Sequence, residues 1–272
     1  MHLQIRIPAA DVSVQEILIA RLEELGYDGF LQEAGYLDAY IPEDLFDAAV
    51  VTELLSRWQL SYSRQALPDR NWNEEWERNF QPVVVGDFCA LRASFHAPVR
   101  GVKHELVITP KMSFGTGHHA TTHMMIQAME KLDLKGKTVL DFGTGTGVLA
   151  ILAEKLGAAD VLAIDNDHWS IENAGENMIE NHVKRVRVEK MDTIPATAGF
   201  DVILANINKH IILKELPSIK QQLKSGGVIL LSGLLNEDFQ DIENESLKAD
   251  LPISERLSEK DWICLKLTKK DN

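Results

Sequence analysis

The stretch Val139-Leu-Asp-Phe-Gly-Thr-Gly-Thr-Gly147 constrains this chain more than any other, because it joins an apolar strand to a glycine turn with one acid, Asp141, between them. Glycine has no Cβ and takes positive φ at little cost. A turn built from Gly143, Gly145 and Gly147 therefore bends sharply and lets its backbone approach a ligand. Val148 to Leu156 should follow as a helix, with Leu149, Leu152, Ala153 and Leu156 on one face and Gly157 as its stop. Val161-Leu-Ala-Ile-Asp165 reads as a second buried strand ending in a carboxylate, 22 residues after Gly143. An acid there can accept the hydroxyls of a ribose, so the segment predicts a nucleoside-type cofactor.

The glycines decide which cofactor. A dinucleotide fingerprint puts its third glycine at position 148, where this chain has Val148, and here the glycines alternate behind Asp141 instead. This pattern resembles that of the class I S-adenosylmethionine-dependent methyltransferases. The resemblance implies S-adenosylmethionine as cofactor, with Gly143, Gly145 and Asp165 among its contacts.

At 272 residues the chain is long enough for one full α/β domain and a smaller partner. Its hydrophobic content is 45%, yet no apolar run approaches the roughly 18 residues of a membrane helix. Met1-His-Leu-Gln-Ile-Arg-Ile7 alternates like a strand and not like an export signal, so a cytoplasmic location is expected. Cys89 and Cys264 lie in apolar surroundings without zinc-site spacing and read as small core residues in a reducing compartment. Residues 1–67 hold 11 Asp and Glu against 4 Arg and no Lys, a net of −7 out of −13 for the whole chain. Such a lobe repels nucleic acid and attracts basic protein surfaces, although acidity also serves solubility.

Organisation follows from periodicity. The first lobe reads strand (Leu3 to Ile7), helix (Val12 to Leu25), two strands around Gly35, helix (Pro42 to Trp58) and a strand near Leu60 to Ala66. That βαββαβ order predicts a small α+β ferredoxin-like domain over residues 1–67, with Leu18, Leu22 and Leu25 against its sheet. A linker helix is expected within 68–82, Trp72, Trp76 and Phe80 forming its buried face. Residues 83–95 and 105–109 read as strands leading into a catalytic domain over 83–272. Beyond Lys135 the strands 138–142, 161–165, 186–189, 200–205 and 228–232 alternate with helices, which is the mark of a doubly wound α/β sheet. Leu251 to Leu257 and Trp262 to Leu267 are too close for a crossover and should form an antiparallel hairpin. The methyltransferase resemblance likewise implies a seven-stranded sheet with its seventh strand inserted antiparallel.

Ligands bind at the carboxyl ends of such strands. Phe200-Asp-Val-Ile-Leu-Ala205 ends in Asn206-Ile-Asn208. The carbonyl of Asn206 could accept a hydrogen bond from an incoming amine and align it, whereas Asn208 reads as the cap of the next helix. Upstream, Ser113-Phe-Gly-Thr-Gly-His-His-Ala-Thr-Thr-His123 is a glycine-rich loop entering a helix from Met124 to Leu132. Thr121 and Thr122 at its start either cap free N–H groups or reach a ligand. His119 and His123 have the spacing of a zinc pair, but Ala120 stands where the glutamate of a zinc helix would be and no third ligand is near, so no metal is expected.

Five pieces now make the resemblance specific: Trp76-Glu-Arg-Asn-Phe-Gln-Pro82, Phe114-Gly-Thr-Gly-His-His-Ala-Thr-Thr122, Val139 to Ala150, Ala205-Asn-Ile207 and Leu231-Ser-Gly-Leu234. Together they resemble the ribosomal protein L11 methyltransferase family, the Phe-Gly-Thr-Gly loop being the discriminating piece. The resemblance implies that Thr122, Gly143, Asp165 and Asn206 contact the cofactor. It also implies that the acidic first lobe grips a ribosomal protein, with lysine or amino-terminal nitrogens as methyl acceptors. It departs at His118-His119-Ala120, where many relatives carry Thr-His-Pro. Glutamine, adenine or a small amine is the competing substrate class, though Asn206-Ile-Asn208 lacks the prolines and aromatic residue of that type. A cofactor-regulated ribosome-binding module without turnover is the competing non-enzyme. Neither direct nucleic-acid binding nor membrane association is expected. The oligomeric state stays open, with a monomer as the expectation.

Overall fold

The structure, a computed structural model, describes residues 2–67, 81–109, 117–196 and 199–270. The predicted linker helix with Trp72, Trp76 and Phe80, and the Ser113 to Thr116 part of the glycine-rich loop, lie outside the described residues. The chain forms two compact units, Met1–Asn79 and Phe80–Asn272.

The first unit runs β1 (His2–Ile7), α1 (Val12–Glu23), β2 (Gly29–Glu33), β3 (Tyr36–Pro42), α2 (Ala48–Ser56) and β4 (Ser63–Leu67). Its sheet has the order β2-β3-β1-β4, with every neighbour antiparallel. Leu18 and Leu22 are fully buried against it, but α1 stops before Leu25, which is left exposed beside Gly26 at φ +87°. The helix predicted from Pro42 is also shorter. Pro42 closes β3, and an extended Asp47 interrupts the run and caps the free Ala49 and Val50 N–H groups, so α2 begins only at Ala48.

In the second unit β5 (Val83–Val85), β6 (Cys89–Arg92) and β7 (His104–Val107) form a three-stranded sheet of their own. The single strand expected over 83–95 is thus two, folded back at Gly86 with φ +56°. Next come α3 (Ala120–Glu130), β8 (Thr138–Phe142), α4 (Val148–Lys155), β9 (Asp160–Asp165), α5 (His168–Glu180), β10 (Val186–Lys190), β11 (Phe200–Asn206) and α6 (Lys209–Gln222). The chain ends with β12 (Leu223–Leu235), α7 (Phe239–Lys248), β13 (Ile253–Glu259) and β14 (Trp262–Thr268). These strands make one mixed sheet of seven, ordered β10-β9-β8-β11-β12-β14-β13, in which β14 alone runs against its neighbours.

Period-two patterning explains the layering. Val139, Val161, Ala163, Val202 and Leu204 join one core with α3, α4 and α5, while Leu140, Leu162, Ile164, Ile203 and Ala205 join the other with α6 and α7. Helix α4 is buried all round from Val148 to Ala153, not along the one face its leucines suggested, because it is sandwiched between the sheet and its neighbours. Cys89 and Cys264 are buried, and burial pushes both thiols up to about 12, which keeps them unreactive core residues. Among the described residues no helix is long and apolar enough to cross a membrane.

At the amino-terminal end of the sheet, Asp201 accepts hydrogen bonds from the Thr138 N–H and hydroxyl, each at 2.8 Å, and from Lys224 Nζ at 3.0 Å. Burial raises its pKa, but these donors outweigh burial and bring it to about 2. A folded pKa below the unfolded value of about 3.9 stabilises the fold above that value, and the benefit is lost as pH falls toward 2. Acidification from about pH 5 to about pH 2.5 should therefore cost Asp201→Asn about 2 kcal/mol less than wild type in urea titrations. Equal losses would show that Asp201 is not the linked group.

Candidate active site

Strand register places the predicted site residues in one row. Phe142 of β8 pairs with Ile164 of β9 on one side and with Ala205 of β11 on the other. The next residues of these three adjacent strands are Gly143, Asp165 and Asn206. The sheet order reverses between β8 and β11, so the row sits at the switch point where open α/β sheets bind ligands.

The glycine turn has the predicted backbone. Gly143, Gly145 and Gly147 have φ of +75°, +52° and +80°. The Gly143 and Thr144 N–H groups both donate to the Ile164 carbonyl, at 2.9 and 3.0 Å, which ties the turn to β9. Asp165 Oδ2 accepts the Gly145 N–H at 2.9 Å and Oδ1 accepts the Asp167 N–H at 3.0 Å. Its carboxylate thus holds the turn in shape, and each oxygen keeps further lone-pair capacity for a ligand hydroxyl. Asp141, 1% exposed, accepts from the Thr144 hydroxyl at 2.6 Å and from the Ala150 N–H at 3.2 Å, both on Oδ2. Burial first, with nearby Asp165 adding to it, pushes the Asp141 carboxyl up to about 7 against these bonds, and Oδ1 has no partner among the described residues.

Across the row, Asn206 is 9% exposed and donates from Nδ2 to the Thr122 hydroxyl at 3.2 Å. Its Oδ1 is buried with no hydrogen-bond partner among the described residues. An unmet acceptor of this kind costs about 1–3 kcal/mol, so it marks a place where a donor is expected to arrive. Asn206 does not cap α6. Asn208 occupies the cap position as predicted, but its side chain makes no capping bond.

Helix α3 brings Thr122 to the row and starts at Ala120, four residues before the predicted Met124. The cap is His119, not a threonine. Its Nδ1 accepts the Thr121 N–H at 3.3 Å and lies 2.7 Å from the Thr121 hydroxyl. Burial, helped by Lys260, holds this imidazole below the usual histidine range, which keeps the neutral ring available as acceptor. Thr121 and Thr122 are fully buried. The suspected zinc pair is engaged elsewhere: His119 packs edge-on against Trp262 with ring centroids 4.6 Å apart, and His123 Nδ1 lies 2.7 Å from Glu259 Oε2. Among the described residues no cluster of three His, Cys, Asp or Glu could hold a metal ion.

Two glycines acquire a role that was not legible in sequence. A Cβ on Gly143 would strike Ile207 Cγ2, and one on Gly233 would strike the Ile207 carbonyl oxygen. The bend after Asn206 is thus clasped between two residues without side chains, and the Ile207 N–H donates to the Ser232 carbonyl at 3.2 Å. In the sequence, Leu231-Ser-Gly-Leu234 carries only a resemblance. A Ser-Gly inside a long apolar strand was the available signal for close backbone approach.

The orphaned Asn206 oxygen, the remaining capacity of Asp165 and the glycine turn between them fit a nucleoside with a reactive end near β11. Comparisons with known proteins identify the family. The model of the family described as "Ribosomal protein L11 methyltransferase (PrmA)" matches residues 9–270. A ribosomal protein L11 methyltransferase from Porphyromonas gingivalis is 41% identical over 93% of this chain and 90% of its own. One from Chlorobaculum tepidum is 43% identical over 84% of this chain and 83% of its own. The crystal structure of a ribosomal protein L11 methylase from Lactobacillus delbrueckii subsp. bulgaricus superposes with a TM-score of 0.65 at 29% identity, covering 70% of this chain and 100% of that one. With the family model spanning nearly the whole sequence and relatives this similar, the chain belongs to the ribosomal protein L11 methyltransferase family.

Proposed function

We propose that this enzyme uses S-adenosylmethionine to methylate amine nitrogens, lysine side-chain or amino-terminal, of ribosomal protein L11. The observation that carries the reading is the buried, unpartnered Asn206 Oδ1, its amide nitrogen pinned by Thr122, in one row with Gly143 and Asp165. Asp165 would take the ribose hydroxyls, Gly143 and Gly145 would admit the cofactor close to the backbone, and Thr122 and Asn206 would line its reactive end. The cofactor supplies a methyl group already activated on a sulfonium, so the protein's part is alignment. A lysine of pKa about 10.4 loses its proton at pH 7 at a cost of roughly 4 to 5 kcal/mol, and desolvation in the site lowers that cost. Asn206 Oδ1 then accepts a hydrogen from the neutral amine and directs its lone pair.

In this reading residues 1–67 are the substrate-recognition domain, 68–82 the linker and 83–272 the methyltransferase domain. The antiparallel β2-β3-β1-β4 order with βαββαβ connectivity supports a ferredoxin-like fold for the first. Its net charge of −7 supports capture of a basic ribosomal protein in preference to nucleic acid.

The test is transfer of label from S-adenosylmethionine to purified ribosomal proteins, alongside calorimetric titration of the cofactor. Label is expected on L11 amines. Asp165→Ala should weaken cofactor binding by about 1.5 to 3 kcal/mol, the worth of charge-assisted hydrogen bonds. Label on glutamine or nucleic acid instead, or unchanged affinity in the variant, contradicts the reading.

A further inference from the structure

Helix α5 and its cap carry Asn173, Asn177 and Asn181 at four-residue spacing, and all three are buried, at 1%, 0% and 7% exposure. Burying three amides on one helix face is costly unless they are bonded. Two of them complete the outer edge of β7, which among the described residues pairs only with β6. Asn181 accepts the Val107 N–H at 2.9 Å and donates to the Val107 carbonyl at 2.6 Å, as a partner strand would. Asn177 Oδ1 accepts the Thr109 N–H at 2.7 Å. The match is metric: four helical residues rise about 6.0 Å and two strand residues about 6.6 Å.

Asn177 does more than its neighbour. Its Nδ2 donates to the carbonyl of Thr146, between Gly145 and Gly147, at 2.8 Å, and to Asn173 Oδ1 at 3.3 Å. One side chain therefore holds the glycine turn and the extension of β7 together.

We propose that Asn177 is a positioning residue for the cofactor, fixing the Gly143–Gly147 turn by bonding the Thr146 carbonyl while anchored to Thr109. This rests on the reading that the turn binds S-adenosylmethionine. The rigid turn presents its backbone in the binding geometry without paying an ordering cost at each encounter. Asn181 provides the control, since it holds the same strand extension without touching the turn.

Titration calorimetry with S-adenosylmethionine and thermal unfolding, on the same full-length samples, separate positioning from plain stability. Asn177→Ala should weaken binding at least about tenfold. Asn181→Ala should lower the melting temperature comparably yet leave affinity within about twofold. Should Asn177→Ala not fold, Asn177→Leu removes the same bonds while keeping the branching and number of heavy atoms, and serves in its place. Equal weakening in the Asn177 and Asn181 variants, or unchanged affinity in a folded Asn177 variant of a protein whose wild type binds, overturns the inference. A wild type that binds no S-adenosylmethionine overturns the cofactor reading itself.

Discussion

Asn206→Ala is expected to cut the turnover number for methyl transfer about 100-fold while S-adenosylmethionine affinity changes less than about tenfold. Wild-type Asn206 is immobilised from one end, its Nδ2 bonded to Thr122, which leaves Oδ1 aimed by the fold and not by the substrate. Removing it deletes the acceptor proposed to orient the amine but leaves Asp165 and the glycine turn intact. Single-turnover kinetics with saturating cofactor measure the first quantity and calorimetry the second. Thr122→Val should show a weaker version of the same pattern, because it frees the Asn206 amide to rotate without removing it. If Asn206→Ala methylates at the wild-type rate, the orphaned oxygen has no part in alignment.

Gly233→Ala should be the most damaging small substitution, at roughly 2 to 5 kcal/mol of stability. Gly233 has φ +81°, and an added Cβ would also lie 2.8 Å from the carbonyl carbon and 2.9 Å from the nitrogen of Ile207. Backbone cannot swing aside. Gly143→Ala carries similar conformational strain but meets the tip of the Ile207 side chain, which can turn away, so its cost should be nearer 1 to 3 kcal/mol. Because Ile207 follows Asn206, the surviving folded Gly233→Ala protein should also lose turnover. Denaturant unfolding of the two variants side by side decides: a Gly233→Ala loss no larger than that of Gly143→Ala removes the argument that backbone crowding shapes this bend.

The elements that were read well are those set by local pattern. Val139 to Phe142 and Val161 to Asp165 announced strands by their apolar runs, the positive φ of Gly143, Gly145 and Gly147 followed from spacing, and the short gap between Leu257 and Trp262 dictated a hairpin. Errors came where a side chain overruled propensity. Asp47 broke a helix that the residues from Pro42 to Trp58 could have continued, and His119 started one earlier than the apolar pattern suggested.

The alternation of strands and helices beyond Lys135 and the positive-φ glycine turn were thus legible in the chain alone, because each depends on residues within a few positions of one another. The alignment of Asp165, Gly143 and Asn206 in a row, the bond from Asn206 to Thr122 across 84 residues, the clasp on Ile207 and the reach of Asn177 from Thr109 to Thr146 were not. These are properties of register and packing. A one-residue slip in strand pairing would turn every side chain of the row to the opposite face, and no local pattern specifies which buried polar group another will meet.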